Sequence, residues 1–166
     1  MSALNARISK TAASSEWDLV ITRVFDAPRE LVFQAWTDPQ HVAQWWGPKG
    51  CTTTVQQWEM RAGGALRLEM RLQEFVHPMS GVFEEVTEPD RLVFVASALD
   101  QNGNSMFDVH SIVTFAERQG KTELTVELRV LRTTAEGPQY LSGMKMGWTQ
   151  QLDRLEEKVA AMRNQK

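Results

Sequence analysis

The sequence predicts an α+β domain: a curved antiparallel sheet wrapped around a long C-terminal helix, with two short helices after the first strand. Three observations lead there. The stretch from Val24 to Gly50 reads as a strand running into two proline-opened helices, closed by Trp45-Trp46 and a Gly-Pro turn. From Cys51 to Leu131, strand-like runs recur between turn signals, the clearest of them alternating apolar and polar residues. From about Tyr140 to Met162, apolar residues return at steps of three and four. One-faced strands and an amphipathic helix each leave an apolar surface, and the two must cover one another.

Each element has its own signal. Leu31, Val32, Ala35 and Trp36 share one face of the first short helix; Val42, Trp45 and Trp46 share one face of the second. Pro28 and Pro39 suit the first helical position, where a missing N–H has no intrahelical partner. Asp26 or Ala27, and then Asp38, are the expected caps. Strands are expected over Cys51–Met60, Ala65–Leu72, Gly81–Val86, Arg91–Ala96, Met106–Phe115 and Lys121–Leu131. The clearest alternation sets Leu66, Leu68, Met70 and Leu72 against Arg67, Glu69 and Arg71. In the last strand Leu124, Val126, Leu128 and Val130 point inward. The terminal helix carries Met144, Trp148, Leu152, Leu155, Val159 and Met162 as one stripe. Asp153, Arg154, Glu156, Glu157 and Lys158 lie largely off it and are expected in solvent. Gly143 and Gly147 are poor helix formers, expected either to let this end approach another element or to loosen it beside an opening.

A chain of 166 residues suits one domain, expected over 16–166 after a polar leader at 1–15. A formal net charge of −3 argues against nucleic-acid binding, which needs a basic patch. The single cysteine, Cys51, excludes an internal disulfide framework and suits a reducing compartment. The leader lacks the apolar core of a signal peptide, and no apolar run approaches the roughly 20 residues that span a bilayer. A cytoplasmic protein without a membrane span is the expectation.

Few residues suggest chemistry. His41, His77 and His110 are scattered without HExxH or paired-cysteine spacing, so neither a metal nor a cofactor is expected. Cys51 stands beside Thr52, Thr53 and Thr54 with no evident base, and reads as a small buried or half-buried side chain. Period-two geometry gives Glu84 and Glu85 to opposite sheet faces. An unpartnered inward carboxylate would have a raised pKa and serve as a general acid.

The order of these segments also carries a resemblance. Phe25-Asp-Ala-Pro-Arg-Glu-Leu-Val-Phe33, Ala35-Trp36-Thr37-Asp38-Pro39 and Trp45-Trp46-Gly47-Pro48 open it. Arg61-Ala-Gly-Gly64, Gly81-Val-Phe-Glu-Glu-Val86, Pro89-Asp-Arg-Leu92, Val113-Thr-Phe115 and Gly147-Trp148 continue it. With these motifs the chain resembles the Hsp90-ATPase-activator-like family of the START/Bet v 1-like helix-grip superfamily, over about Glu16 to Met162. The resemblance implies the helix-grip fold and a cavity between sheet and terminal helix, where superfamily members hold lipids, sterols, polyketides or hormones. It implies binding of a small hydrophobic molecule, with Trp46, Leu68, Met70, Phe83, Phe94, Val113, Leu128, Met144, Trp148 and Leu152 as the ligand-contacting set.

A cavity left empty would be costly. At about 24 cal/mol per Å³, ~300 Å³ forfeits roughly 7 kcal/mol, comparable to a domain's whole stability. Aromatase/cyclases of the same fold are the rival class, and no convergent polar constellation supports one here. An interaction protein is the third class. Eukaryotic Hsp90 activators resemble this chain only in their C-terminal part, so an Hsp90 contact is not expected on that ground. An exposed sheet edge would support a homodimer, and charges along it would prevent one.

Overall fold

The computed structural model describes residues 19–133 and 143–165; the expected leader, Gly137, Pro138 and Tyr140 lie outside them. The described elements are β1 (Leu19–Phe25), α1 (Arg29–Thr37), α2 (Pro39–Trp45), β2 (Thr52–Trp58), β3 (Ala65–Leu72), β4 (Phe75–Thr87), β5 (Arg91–Leu99), β6 (Ser105–Arg118), β7 (Lys121–Thr133) and α3 (Met144–Asn164). The strands form one antiparallel sheet in the order β1-β7-β6-β5-β4-β3-β2. Its inner face, α1, α2 and one side of α3 enclose a single apolar core. The expected helix-grip architecture is present.

Local chemistry sets the element ends. Asp38 caps α2 by accepting from the Gln40 N–H at 2.9 Å, with Pro39 at the first helical position. Pro28 departs from expectation. It is itself the cap of α1, extended at φ −67° and ψ 151°. The carbonyl of Ala27 is held outside the helix by the buried Thr122 hydroxyl at 2.7 Å, so the first turn forms one residue later. Strand β4 begins at Phe75 rather than Gly81, because Pro78 and Ser80 hide its alternation in the sequence. Pro78 is tolerated where pairing to β5 starts only at Met79.

The C-terminal helix is fastened at both flanks. Arg23, inward on edge strand β1, pairs with Asp153 at 2.7 Å and Glu156 at 3.3 Å. Arg154, expected in solvent, instead reaches the carbonyl end of α2. Its guanidinium lies 3.0 Å from the carbonyls of Gln44, Trp46 and Gly47 and 3.2 Å from that of Pro48. These carbonyls have no helical partner past the end of α2, and a cation there also opposes the helix dipole. Lys158 adds a bond to the Gln44 side chain at 2.7 Å. The stripe therefore fixes which face is apolar, while its charged border holds the neighbouring helix.

Of the two roles expected at Gly147, close approach to another element is not the one. A Cβ there would meet nothing within 4 Å, so no close approach requires a glycine. Gly147→Ala should stabilise the protein by about 0.5–1 kcal/mol in urea unfolding, the helix-propensity difference alone. Arg154→Met should destabilise it by about 2–4 kcal/mol in the same measurement, with Arg154→Lys restoring little, because a single ammonium cannot span four carbonyls. Full rescue by lysine would refute the clamp.

Candidate ligand site on the inner face of the sheet

Among the described residues the inner face is fully covered at one end and only partly covered toward the other, the open end. Register places Phe94, Ser111 and Leu128 side by side across β5, β6 and β7, then Ala96, Val109 and Val130, then Ala98, Phe107 and Thr133. Exposure rises along these rows: 1–3% in the first and 7–9% in the second, with the third half-buried. Met79 of β4 joins the third row beside Ala98 and is also half-buried.

The helix repeats the gradient. Leu152, Leu155 and Val159 are fully covered, whereas Trp148 and Met144, one and two turns earlier, are half-buried against the core. Arg163 meets Asp26 at 3.4 Å and Asp153 meets Arg23, so the early turns of α3 run toward the open rows.

The expected contact residues fall into two groups. Leu68, Phe83, Phe94, Val113, Leu128 and Leu152 are at most 2% exposed and Trp46 is 3% exposed; protein atoms surround them. Met70, Met144 and Trp148 keep accessible surface. Met79 and Phe107 were missing from the expected set. Phe107 was findable, since it continues the period-two series with Val109, Ser111 and Val113. Met79 was not, because the strand that carries it was expected to begin two residues later.

Where α1, α2, β2 and α3 meet, five tryptophans interlock. Trp36 meets Trp45 edge-on at 4.7 Å, Trp46 at 6.1 Å, and stacks on Trp148 at 6.4 Å and 19°. Trp46 also contacts Trp58 at 5.6 Å and Trp148 at 5.7 Å. Trp45 and Trp46 thus pack as a plug among these rings. Indole donors of Trp45 and Trp58 bond the carbonyls of Ala35 at 2.9 Å and Trp36 at 2.7 Å. Gln151 is buried on the same side of α3, its Oε1 accepting from the Gly47 N–H at 2.8 Å. The indole N–H of Trp36 and the Nε2 of Gln151 are buried with no acceptor among the described residues. Each such donor costs about 1–3 kcal/mol when left unpaired in a dry interior.

The titratable groups lie elsewhere. A bulge between Phe83 and Glu85 alters the period-two geometry, so Glu84 and Glu85 both serve the outer face rather than opposite ones. Glu84 meets His110 at 3.2 Å and Glu85 meets Arg91 at 3.1 Å. Cys51 is buried, 3.4 Å from the Thr53 hydroxyl, as expected for a small packed side chain. Among the described residues no His, Cys, Asp and Glu side chains gather as a metal-ligand set, and no helix is long and apolar enough to cross a membrane. A groove of about 380 Å³ lies on the outer face, bordered by Gln57, Arg67, Ser80, Val82, Val95 and Ser97.

Asp108 staples the outer face near the open rows. Its carboxylate accepts from Ser97 and Ser105 at 2.6 Å each and from Arg132 at 3.2 Å. Partial burial raises its pKa, but these hydrogen bonds and the Arg132 charge outweigh burial and hold it below the ordinary value. A lowered carboxylate pKa contributes stability above the unfolded pKa of about 3.9, and the contribution is lost as pH falls through the folded value. Asp108→Asn should therefore lower the Tm by a few degrees near neutrality, the gap closing from about pH 4 downward. A pH-independent gap would refute the role of the charge.

The family profile described as Activator of Hsp90 ATPase homolog 1-like protein matches residues 26–160. Among curated proteins no relative matches the sequence. The chain is similar to the solution structure of a protein from Arthrobacter aurescens, with TM-score 0.78 and 22% identity over 89% of this chain and 88% of that one. A crystal structure from Chromobacterium violaceum matches with TM-score 0.75 and 24% identity, covering 86% and 96%. The AHSA1 protein from Silicibacter pomeroyi matches with TM-score 0.74 and 22% identity, covering 87% and 99%. At these identities the structures establish the fold alone, and the profile establishes descent: the chain belongs to the Activator of Hsp90 ATPase homolog 1-like family.

Proposed function

We propose that this protein binds a small apolar molecule, lipid-like or aromatic, between the inner sheet face and the first turns of α3. The observation that carries this reading is the rise in exposure along the inward rows, matched by the rise along α3 from Leu152 to Met144. Apolar side chains there, Met79, Met144 and Trp148 among them, face inward and are only half-buried, and a bound molecule would bury them further at about 25 cal/mol per Å². Met70, Met79 and Met144 give this region unbranched, polarisable side chains that adapt to different shapes. The covered residues Leu68, Phe94 and Leu128 form its floor, and Trp46 with Trp148 one wall.

Thermal shift and native mass spectrometry against fatty acids, sterols and aromatic polyketides test this. A ligand at a hundredfold excess over Kd should raise the Tm by about 5–10 °C. Met79→Trp should abolish the shift while the free protein keeps its Tm within a few degrees. Absence of any shift, with Met79→Trp raising the Tm of the free protein, would mean that the space is simply underpacked core.

A further inference from the structure

Three buried side-chain nitrogens have no partner among the described residues, and two of them, the Trp36 indole N–H and the Gln151 Nε2, lie in one group of side chains, the third being His41 Nδ1 on α2. Trp36 stacks on Trp148 and meets Trp46 edge-on. Gln151 follows Trp148 by three residues on α3, hence on the same side of the helix, and its Oε1 is fixed to the N–H directly after Trp46. That bond orients the amide, so Nε2 is the end left over. Both side chains are at least nine-tenths buried, Trp36 at 0% and Gln151 at 6% exposure. Other tryptophans of the same group, Trp45 and Trp58, do find carbonyl acceptors, so the packing does not exclude acceptors in general.

The charge of the missing acceptor follows from the nearby cations. Arg154 is engaged by backbone carbonyls, Lys158 by Gln44 and Arg23 by Asp153 and Glu156. A carboxylate buried among the indoles would gain none of these charges and would lose its hydration, whereas a neutral carbonyl is matched by two N–H donors.

We propose that the pocket takes an apolar molecule bearing one neutral hydrogen-bond acceptor, a ketone or ester carbonyl, held by the indole N–H of Trp36 and the amide N–H of Gln151. This rests on the pocket reading above and adds the chemistry of its polar end. The Trp148 ring, stacked on Trp36, supplies an aromatic wall beside the acceptor.

Acetonaphthone and ethylnaphthalene, nearly equal in shape and differing in the carbonyl, make the test. In calorimetric titration the unaltered protein should bind the ketone at least as tightly as the hydrocarbon, although the ketone has more hydration to lose. Trp36→Phe and Gln151→Met should each weaken the ketone about tenfold and change the hydrocarbon much less. On the unaltered protein, nitrogen-15 NMR should show the Trp36 indole proton moving downfield with the ketone and not with the hydrocarbon, a readout that survives a variant that fails to fold. Binding of both probes with an unmoved indole resonance and no selective loss of the ketone would overturn this proposal and leave the apolar pocket standing. Binding of neither probe would overturn both.

Discussion

The guanidinium of Arg154 binds the C-terminal helix to the carbonyl end of α2, and the rest of the architecture depends on that attachment. The guanidinium reaches four carbonyls from Gln44 to Pro48, joining the Thr53 hydroxyl at Trp46 and the Cys51 N–H at Pro48. One planar fork satisfies them and fixes the height of α3 over the sheet. With the helix set at that height, Trp148 meets Trp36 and Trp46, and Gln151 meets Gly47. Gly47 adopts φ +101°, and a Cβ there would come within 2.8 Å of the Cys51 sulfur, so this turn is bound closely on both sides.

The molecule is consequently asymmetric along its inner face. Near Phe25, Leu124 and Phe115, short helices, sheet and terminal helix are in full contact. Toward Phe107, Met79 and Met144 the same surfaces are only partly covered. A packed end gives the domain its stability, and a loosely covered end carries the proposed binding. The glycine at 147 fits that division, since it lowers helix propensity where no packing demands a small residue.

The outer face answers to different constraints. Bulges at Phe83/Glu85 and Asp108/Val109 re-aim charged side chains into Glu84–His110, Glu85–Arg91 and Asp108–Arg132 pairs. Such exposed or half-exposed pairs contribute little individually. Their arrangement keeps carboxylates off the inner face, which is why the acid that period two would have aimed inward serves the outer surface instead.

Periodicity was enough for the elements, the start of β4 excepted. Leu66, Leu68 and Met70 fixed the inward side of β3; Leu124 to Val130 fixed that of β7; and the stripe from Met144 to Met162 fixed the buried side of α3, because local sterics tie side-chain direction to sequence spacing. The sequence by itself also determined the Asp38 cap and the small, packed setting of Cys51. It could not determine the roles of Arg154, Gln151 or Met79. Those depend on which residues more than a hundred positions away, or on a neighbouring strand, come to lie opposite them. A bulge adds one residue to the count, and a guanidinium finds its carbonyls only after two helices have docked. Contacts of that kind have no period along the chain, so tertiary structure alone decides them.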